Sequence, residues 1–453
     1  MNRTLRVYVK SFAMIIMTTG LLLGCGINNN SKLQFVDSLD ANGIIEEEKT
    51  VLKIYVDSIR AQDTNFLDVV HAFERDTDYK LEFNLIPGDG KDIYKKIDID
   101  LGSKKSDTDI ILFSNPILLD KYSENNMLLP INDLIDEQAY DVDRIYGDYI
   151  TTYNDNIYSL PAGAGRWAVY YNKKIFDDAH IPYPSGAWTW DDYIETAQKL
   201  MVAGHKFGSY MLDYDNYLYF IARQKGIPLY KEDGLSNYDH PSFKESLRLF
   251  AEIGNVYQIQ PNWLEFKTKK LPWDGFMTGE YGLTLIGTWY TNMFLDKKLY
   301  PRDWEFGITQ LPTPSDGLGD NNLGNVNSIG INKYSKHPLE AFEFVKYFAE
   351  NNYKFTGDLP ARIDLKEEDR MSIFRKTEEK LNGEVTAQQF NDALYNTDLG
   401  FMKEKISGPV ALEYSQIILE EGELYLIGVK SLDDAVHSIK SRVDTLITDK
   451  GVQ

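Results

Sequence analysis

The sequence predicts an α/β protein of at least two domains, and three observations carry that prediction. The chain has 453 residues, more than one hydrophobic core usually serves. Hydrophobic residues make up 43% of it, which is ordinary for a folded chain and too much for a disordered one. Beyond residue 50, short β-branched runs alternate with helical periodicities, the pattern of a sheet whose strands are joined by helices.

The elements follow in order. Residues 1–10 carry Arg3, Arg6 and Lys10 without an acid, and residues 11–24 (SFAMIIMTTGLLLG) are uncharged and mostly apolar. A basic region followed by so short an apolar one reads as a secretory leader, because a membrane-spanning helix takes roughly 20 residues. The leader ends at Cys25, the only cysteine of the chain. Residues 26–50 are rich in Asn, Gly and acids with no sustained period, and read as a flexible tether.

Residues 51–56 (VLKIYV) read as a strand. Residues 64–73 read as a helix with Phe66, Val69, Val70 and Phe73 on one face. Residues 80–86 alternate as a second strand, 93–101 as a helix, and 109–113 (DIILF) form a continuous apolar run. This spacing predicts a parallel sheet, in which ligands gather beyond the carboxyl ends of the strands. The loops at those ends are 57–59, with Ser58, and 114–116, with Asn115.

A second region opens with Leu-Pro-Ala-Gly-Ala-Gly-Arg-Trp at 160–167. Thr189 is placed to cap a helix over 190–203, with Asp192 returning a hydrogen bond to the Thr189 amide. Tyr193, Ile194, Ala197, Leu200 and Met201 form the apolar stripe of that helix. Residues 282–287 (GLTLIG) and 307–312 (GITQLP) are strand-like, 339–349 form an amphipathic helix, and 388–446 are mainly helical.

Composition excludes several functions. There are 48 Lys and Arg against 69 Asp and Glu, a net charge of −21, which repels phosphate backbones and argues against nucleic acid as a partner. One Cys and six scattered His give no metal cluster, and no cofactor is expected. Gly163 to Ala168 fits the loose pattern G-x-G-x-x-A, but a strand-like Ala-Val-Tyr-Tyr follows where a phosphate-facing helix should begin. No G-x-S-x-G or H-E-x-x-H motif occurs. Carboxylate pairs for glycoside hydrolysis are not excluded by counting, because they are recognised by their separation.

The four residues Leu22-Leu23-Gly24-Cys25 resemble a bacterial lipobox. The resemblance implies cleavage before Cys25, a lipid on its sulfur, and a lipid-anchored protein on the extracytoplasmic face of the cell membrane. The body resembles the extracellular solute-binding proteins of sugar-type (family 1) ABC transporters. The resemblance rests on Asp109-Ile110-Ile111, Tyr158-Ser159-Leu160-Pro161, Val169 to Phe176 (VYYNKKIF) and Trp188 to Tyr193 (WTWDDY). Phe276 to Glu280 (FMTGE), Gly287-Thr288-Trp289, Gln310-Leu311-Pro312 and Ser328 to Ile331 (SIGI) complete it. The chain departs from the family at Thr108, where proline is usual, and in the Ala-Gly-Ala-Gly stretch after Pro161.

The resemblance implies a periplasmic-binding-protein-like fold, with two α/β lobes, hinge crossings and an interlobe cleft. One lobe would hold 51–160 and 328–385, the other 161–327 and 386–453, with crossings near 159–167 and 325–331. Gly163, Gly165, Gly324 and Gly330 suit hinges that absorb φ/ψ changes. The implied function is capture of a carbohydrate, without catalysis, by a monomer that delivers it to membrane permease subunits. A surface-anchored glycan-degrading enzyme and a sugar sensor or adhesin are the alternatives. A sugar needs flat rings for its C–H faces and polar side chains for its hydroxyl edges. Trp289 and Trp167 are the stacking candidates, with Tyr214 beside them; Trp263 and Trp273 read as packing or surface residues. Ser58, Asn115, Arg166, Asp215, Asn325 and Arg362 are the polar candidates. A neutral oligosaccharide is favoured over an anionic one, because few Arg or Lys lie near these aromatics in the sequence.

Overall fold

β1 (Thr50–Asp57) is the centre of the first half of the molecule, in a computed structural model that describes residues 49–451 apart from 59, 87–89, 105, 115, 317–322 and 396–400. Cys25, the leader, almost all of the tether and Asn115 lie outside the described residues. The helix Thr64–Asp76 follows, capped by Asp63, whose carboxylate accepts from the Asn65 amide. It buries Phe66, Val69, Val70 and Phe73, the face its spacing predicts. β2 (Tyr79–Ile86) then pairs parallel to β1 along its whole length. After the helix Gly90–Gly102, β3 (Ile110–Phe113) joins the other edge of β1, also parallel.

A hairpin of β4 (Thr152–Tyr153) and β5 (Asn156–Ile157) precedes β6 (Ser159–Asn172), a strand of 14 residues. β7 (Leu283–Gly287) and β8 (Phe306–Thr309) flank its second half, both antiparallel. β9 (Leu323–Ile331) runs antiparallel to the first half of β6 and then to β3, and β10 (Met402–Lys403) pairs with its start. The order is β2-β1-β3-β9-β6-β7. The expected parallel sheet therefore holds for β1, β2 and β3, the strands it was read from, while β9 runs against β3. β6 runs from one half of the sheet to the other and β9 returns, so the two strands at the crossing oppose one another.

The Ala-Gly-Ala-Gly stretch lies inside β6, with one register slip between Pro161 and Gly163. Its glycines, and those of β9, are not there for a special backbone conformation, because none of the four has a positive φ. They permit close approach. A Cβ on Gly324 would stand 2.1 Å from the Gly165 carbonyl oxygen, and one on Gly330 would stand 2.7 Å from that of Tyr158.

Helices cover both halves. The capping box of Thr189 and Asp192 opens Trp190–Val202 as the sequence predicts. Glu367–Lys380 packs on Ala387–Tyr395, which lies against β8 and β6. Glu384 sits between these two helices and forks onto Arg302 at 2.5 and 2.6 Å while accepting from the Phe306 amide. The domain boundary expected at 385 thus falls inside a packed helix pair, and Glu384 is bonded to the half that the sequence reading placed apart from it. Ala411–Leu426 packs on Pro116–Glu124 of the first half and also on Asp215–Tyr219 and Pro241–Asn255 of the second.

Candidate ligand cavity

The crossing strands form part of the wall of a cavity of about 500 Å³. Ala164 and Gly165 of β6 and Asn325 and Asn327 of β9 line it. Gly287 ends β7, and the turn Thr288–Tyr290 presents Trp289 to the cavity with 36% of its surface exposed. The indole lies against two glycines. A Cβ on Gly287 would be 1.9 Å from its Cζ3, and one on Gly165 would be 2.9 Å from its Cε3. Thr288 ties this turn to the crossing, its hydroxyl accepting from the Arg166 amide at 3.2 Å. The remaining wall comes from Asn65, from Thr291 to Asp296, from Tyr353 to Leu359 and from the helices Glu367–Lys380 and Ala387–Tyr395.

Of the residues named from sequence, Trp289 and Asn325 meet at this cavity. Asn325 donates to the Ser114 carbonyl at 3.2 Å, and its own Oδ1 has no partner among the described residues. That oxygen is itself buried, although its residue lines the cavity.

Trp167 does not reach the cavity. It is 1% exposed, because its position on β6 is paired to Gly287 and covered by aromatic rings. Trp289 meets it edge-on at 5.3 Å, with Tyr217 and Phe220 at 5.5 and 5.4 Å, so it braces the exposed indole from behind. Tyr214 stands behind it too, edge-on at 6.3 Å. Burial pushes the Tyr214 hydroxyl up to about 12, so it remains a neutral donor.

The polar candidates are mostly committed to the protein itself. Arg166 is 5% exposed and donates to the Tyr149 hydroxyl at 2.7 Å and the Leu394 carbonyl at 3.0 Å. Its guanidinium stacks 4.0 Å from the centre of the Tyr395 ring, so it fastens the crossing instead of meeting a ligand. Asp215 accepts from Lys405 at 3.2 Å and from Ser415 at 2.5 Å. Arg362 forks onto Asp364 at 2.9 and 2.8 Å and donates to the Glu350 carbonyl. Neither lines the cavity, although Leu359, three residues before Arg362, does. Ser58 is half-buried, away from the cavity, and its carbonyl accepts from Gln62.

Sequence reasoning missed the helix Glu367–Lys380 as a wall. Its mix of acids and bases reads as a solvated surface, and nothing local marks the face turned to the cavity. Among the described residues, no group of three His, Cys, Asp or Glu is placed to hold a metal ion. None of their helices is long and apolar enough to cross a membrane.

Residues 58–354, well over half of the chain, match the family model of the bacterial extracellular solute-binding proteins. A binding protein of Brucella abortus is 23% identical over 68% of this chain and 74% of its own. An uncharacterized ABC transporter extracellular-binding protein of Pyrococcus horikoshii is 24% identical, over 67% of this chain and 69% of its own. The arabinooligosaccharide-binding protein of Halalkalibacterium halodurans is 26% identical over 37% of this chain and 38% of its own. Among solved structures, an ABC substrate-binding protein of Listeria monocytogenes in complex with cycloalternan superposes with a TM-score of 0.70. It is 20% identical and covers 88% of this chain and 99% of its own. A sugar transporter of Rhizobium etli in an open conformation gives 0.69 at 20% identity, covering 87% and 99%.

Proposed function

From the premise that the chain belongs to the bacterial extracellular solute-binding proteins, we propose that it is the substrate-binding lipoprotein of an ABC importer, capturing an oligosaccharide around Trp289. The observation that carries the reading is the partly exposed indole of Trp289, braced from behind and set in a cavity bordered by amides and hydroxyls. A ring of that kind fits the C–H face of a sugar, and Asn325, Asn327 and Thr288 fit its hydroxyl edges. The arabinooligosaccharide-binding relative and the cycloalternan complex support an oligosaccharide.

Capture works by closure. The cavity draws on both crossing strands, on the Trp289 turn of the second half and on Asn65 near the start of the first half's helix Thr64–Asp76. A ligand touching both halves binds the closed arrangement more tightly and shifts the population toward it. The closed complex is then the form handed to a membrane permease. The lipid on Cys25 is part of the proposal. Two or more acyl chains, at ~0.8 kcal/mol per buried CH₂, hold such a protein on a membrane.

Calorimetry of residues 49–453 against an oligosaccharide panel tests the reading. The expected result is reversible one-to-one binding with a change in tryptophan fluorescence and no shortened products. W289A should weaken that binding at least about tenfold, which corresponds to about 1.4 kcal/mol. Shortened oligosaccharides, or no binding across the panel, would remove the proposal.

A further inference from the structure

Three lysines distant in sequence from the aromatic candidates stand on the cavity wall: Lys354, Lys376 and Lys380. Lys376 and Lys380 lie four residues apart on the helix Glu367–Lys380. Ile373 and Thr377 between and before them line the cavity as well, so one helical face is turned to it. Both lysines are exposed, and among the described residues neither makes an ion pair or a hydrogen bond. Lys354 donates to the Asn351 side-chain oxygen, a neutral partner. The chain as a whole carries 69 acids against 48 bases, so unpaired lysines gathered at one cavity run against its average composition.

The two acids of the wall do not cancel them. Asp296 accepts from the Lys298 and Leu299 amides at 3.2 and 2.9 Å, and Asp358 accepts from the Asn352 side chain at 3.3 Å. Their carboxylates are engaged locally, and neither is ion-paired to a cavity lysine. The wall already holds amides and hydroxyls for a sugar's hydroxyl edges, and three ammonium groups stand there in addition. Ammonium groups on flexible stems suit a fixed negative charge on the ligand.

We infer that the oligosaccharide is acidic, bearing anionic substituents that Lys354, Lys376 and Lys380 meet while Trp289 stacks on a sugar face. The inference rests on the sugar-binding reading above and replaces the neutral ligand favoured from sequence. Charge selection then resides on a different wall from stacking, so the two contributions separate experimentally.

The test titrates the protein with uronate oligosaccharides, their carboxyl-reduced counterparts and sulfated oligosaccharides. An acidic member should bind at least about tenfold more tightly than its reduced counterpart, with an affinity that falls as salt rises from 50 to 500 mM. The carboxylate and sulfate arms identify which anion is recognised. K376Q/K380Q should erase most of that preference while leaving the melting temperature unchanged. Equal or tighter binding of neutral members, with the lysine variants indifferent, would overturn the acidic ligand and leave sugar capture standing. Binding by neither set would overturn both.

Discussion

At Gly287 an added methyl group has nowhere to go, because the Trp289 ring already occupies the space 1.9 Å away. G287A is therefore expected to tilt the indole out of its place, costing at least fivefold in sugar affinity. A near-native unfolding transition would accompany it, since the ring is displaced toward the open cavity. Titration calorimetry beside a urea melt checks both halves of the expectation. At this scale the sequence told Trp289 from its neighbours only in part. Trp289 and Trp167 both stand near glycines, and what separates them is the register that pairs Trp167 to Gly287 and shuts it beneath other rings. Arg166 was misread for a similar reason. Its partners Tyr149, Leu394 and Tyr395 are brought to it by the fold from far along the chain.

Elements with a short-range signature were the legible ones. The apolar face of Thr64–Asp76 and the capping box of Trp190–Val202 are set by residues three and four apart, which sequence displays directly. The direction of β9 and the placement of Glu367–Lys380 depend on long-range pairing and were not visible. A further element without a local signal is the segment that begins with β10. It touches the first half through Lys403, bonded to Ile150 and Thr151, and through Gly408, whose amide donates to Asp120. It touches the second half through Lys405, which pairs with Asp215. Burial pushes the Glu404 carboxyl up to about 7, against the pull of Lys405, and the Asp120 carboxyl up to about 6. An acid whose pKa is raised on folding binds more protons in the native state than in the unfolded one. Stability then falls as pH rises from the ordinary carboxylate range to the raised value. Urea midpoints are expected to decline between about pH 5 and pH 7, and E404Q should flatten much of that decline. A wild-type midpoint that rises steadily over the same window would contradict it.

For the molecule as a whole, the crossing is a pair of opposed strands in contact along most of β9, with Ala411–Leu426 spanning both halves elsewhere. G324A tests how closely the crossing must pack. Its methyl group would meet the Gly165 carbonyl at 2.1 Å and the Phe401 ring at 2.7 Å, and backbone cannot yield as a side chain does. A loss of about 1–3 kcal/mol is expected, read as a lower urea midpoint at unchanged slope. The α/β class was legible because short apolar runs alternate with helical periodicities along the chain. The cavity's full outline was not, since its walls are drawn from seven separate parts of the chain. Those walls also differ in how freely they can change. Trp289 is pinned by glycines on two strands, whereas Lys376, Thr377 and Lys380 ride on the outer turns of a helix where substitution disturbs little packing. A few codons on that one helix could accordingly rewrite the charge of the cavity wall in descendants of this gene, while the indole stays as inherited.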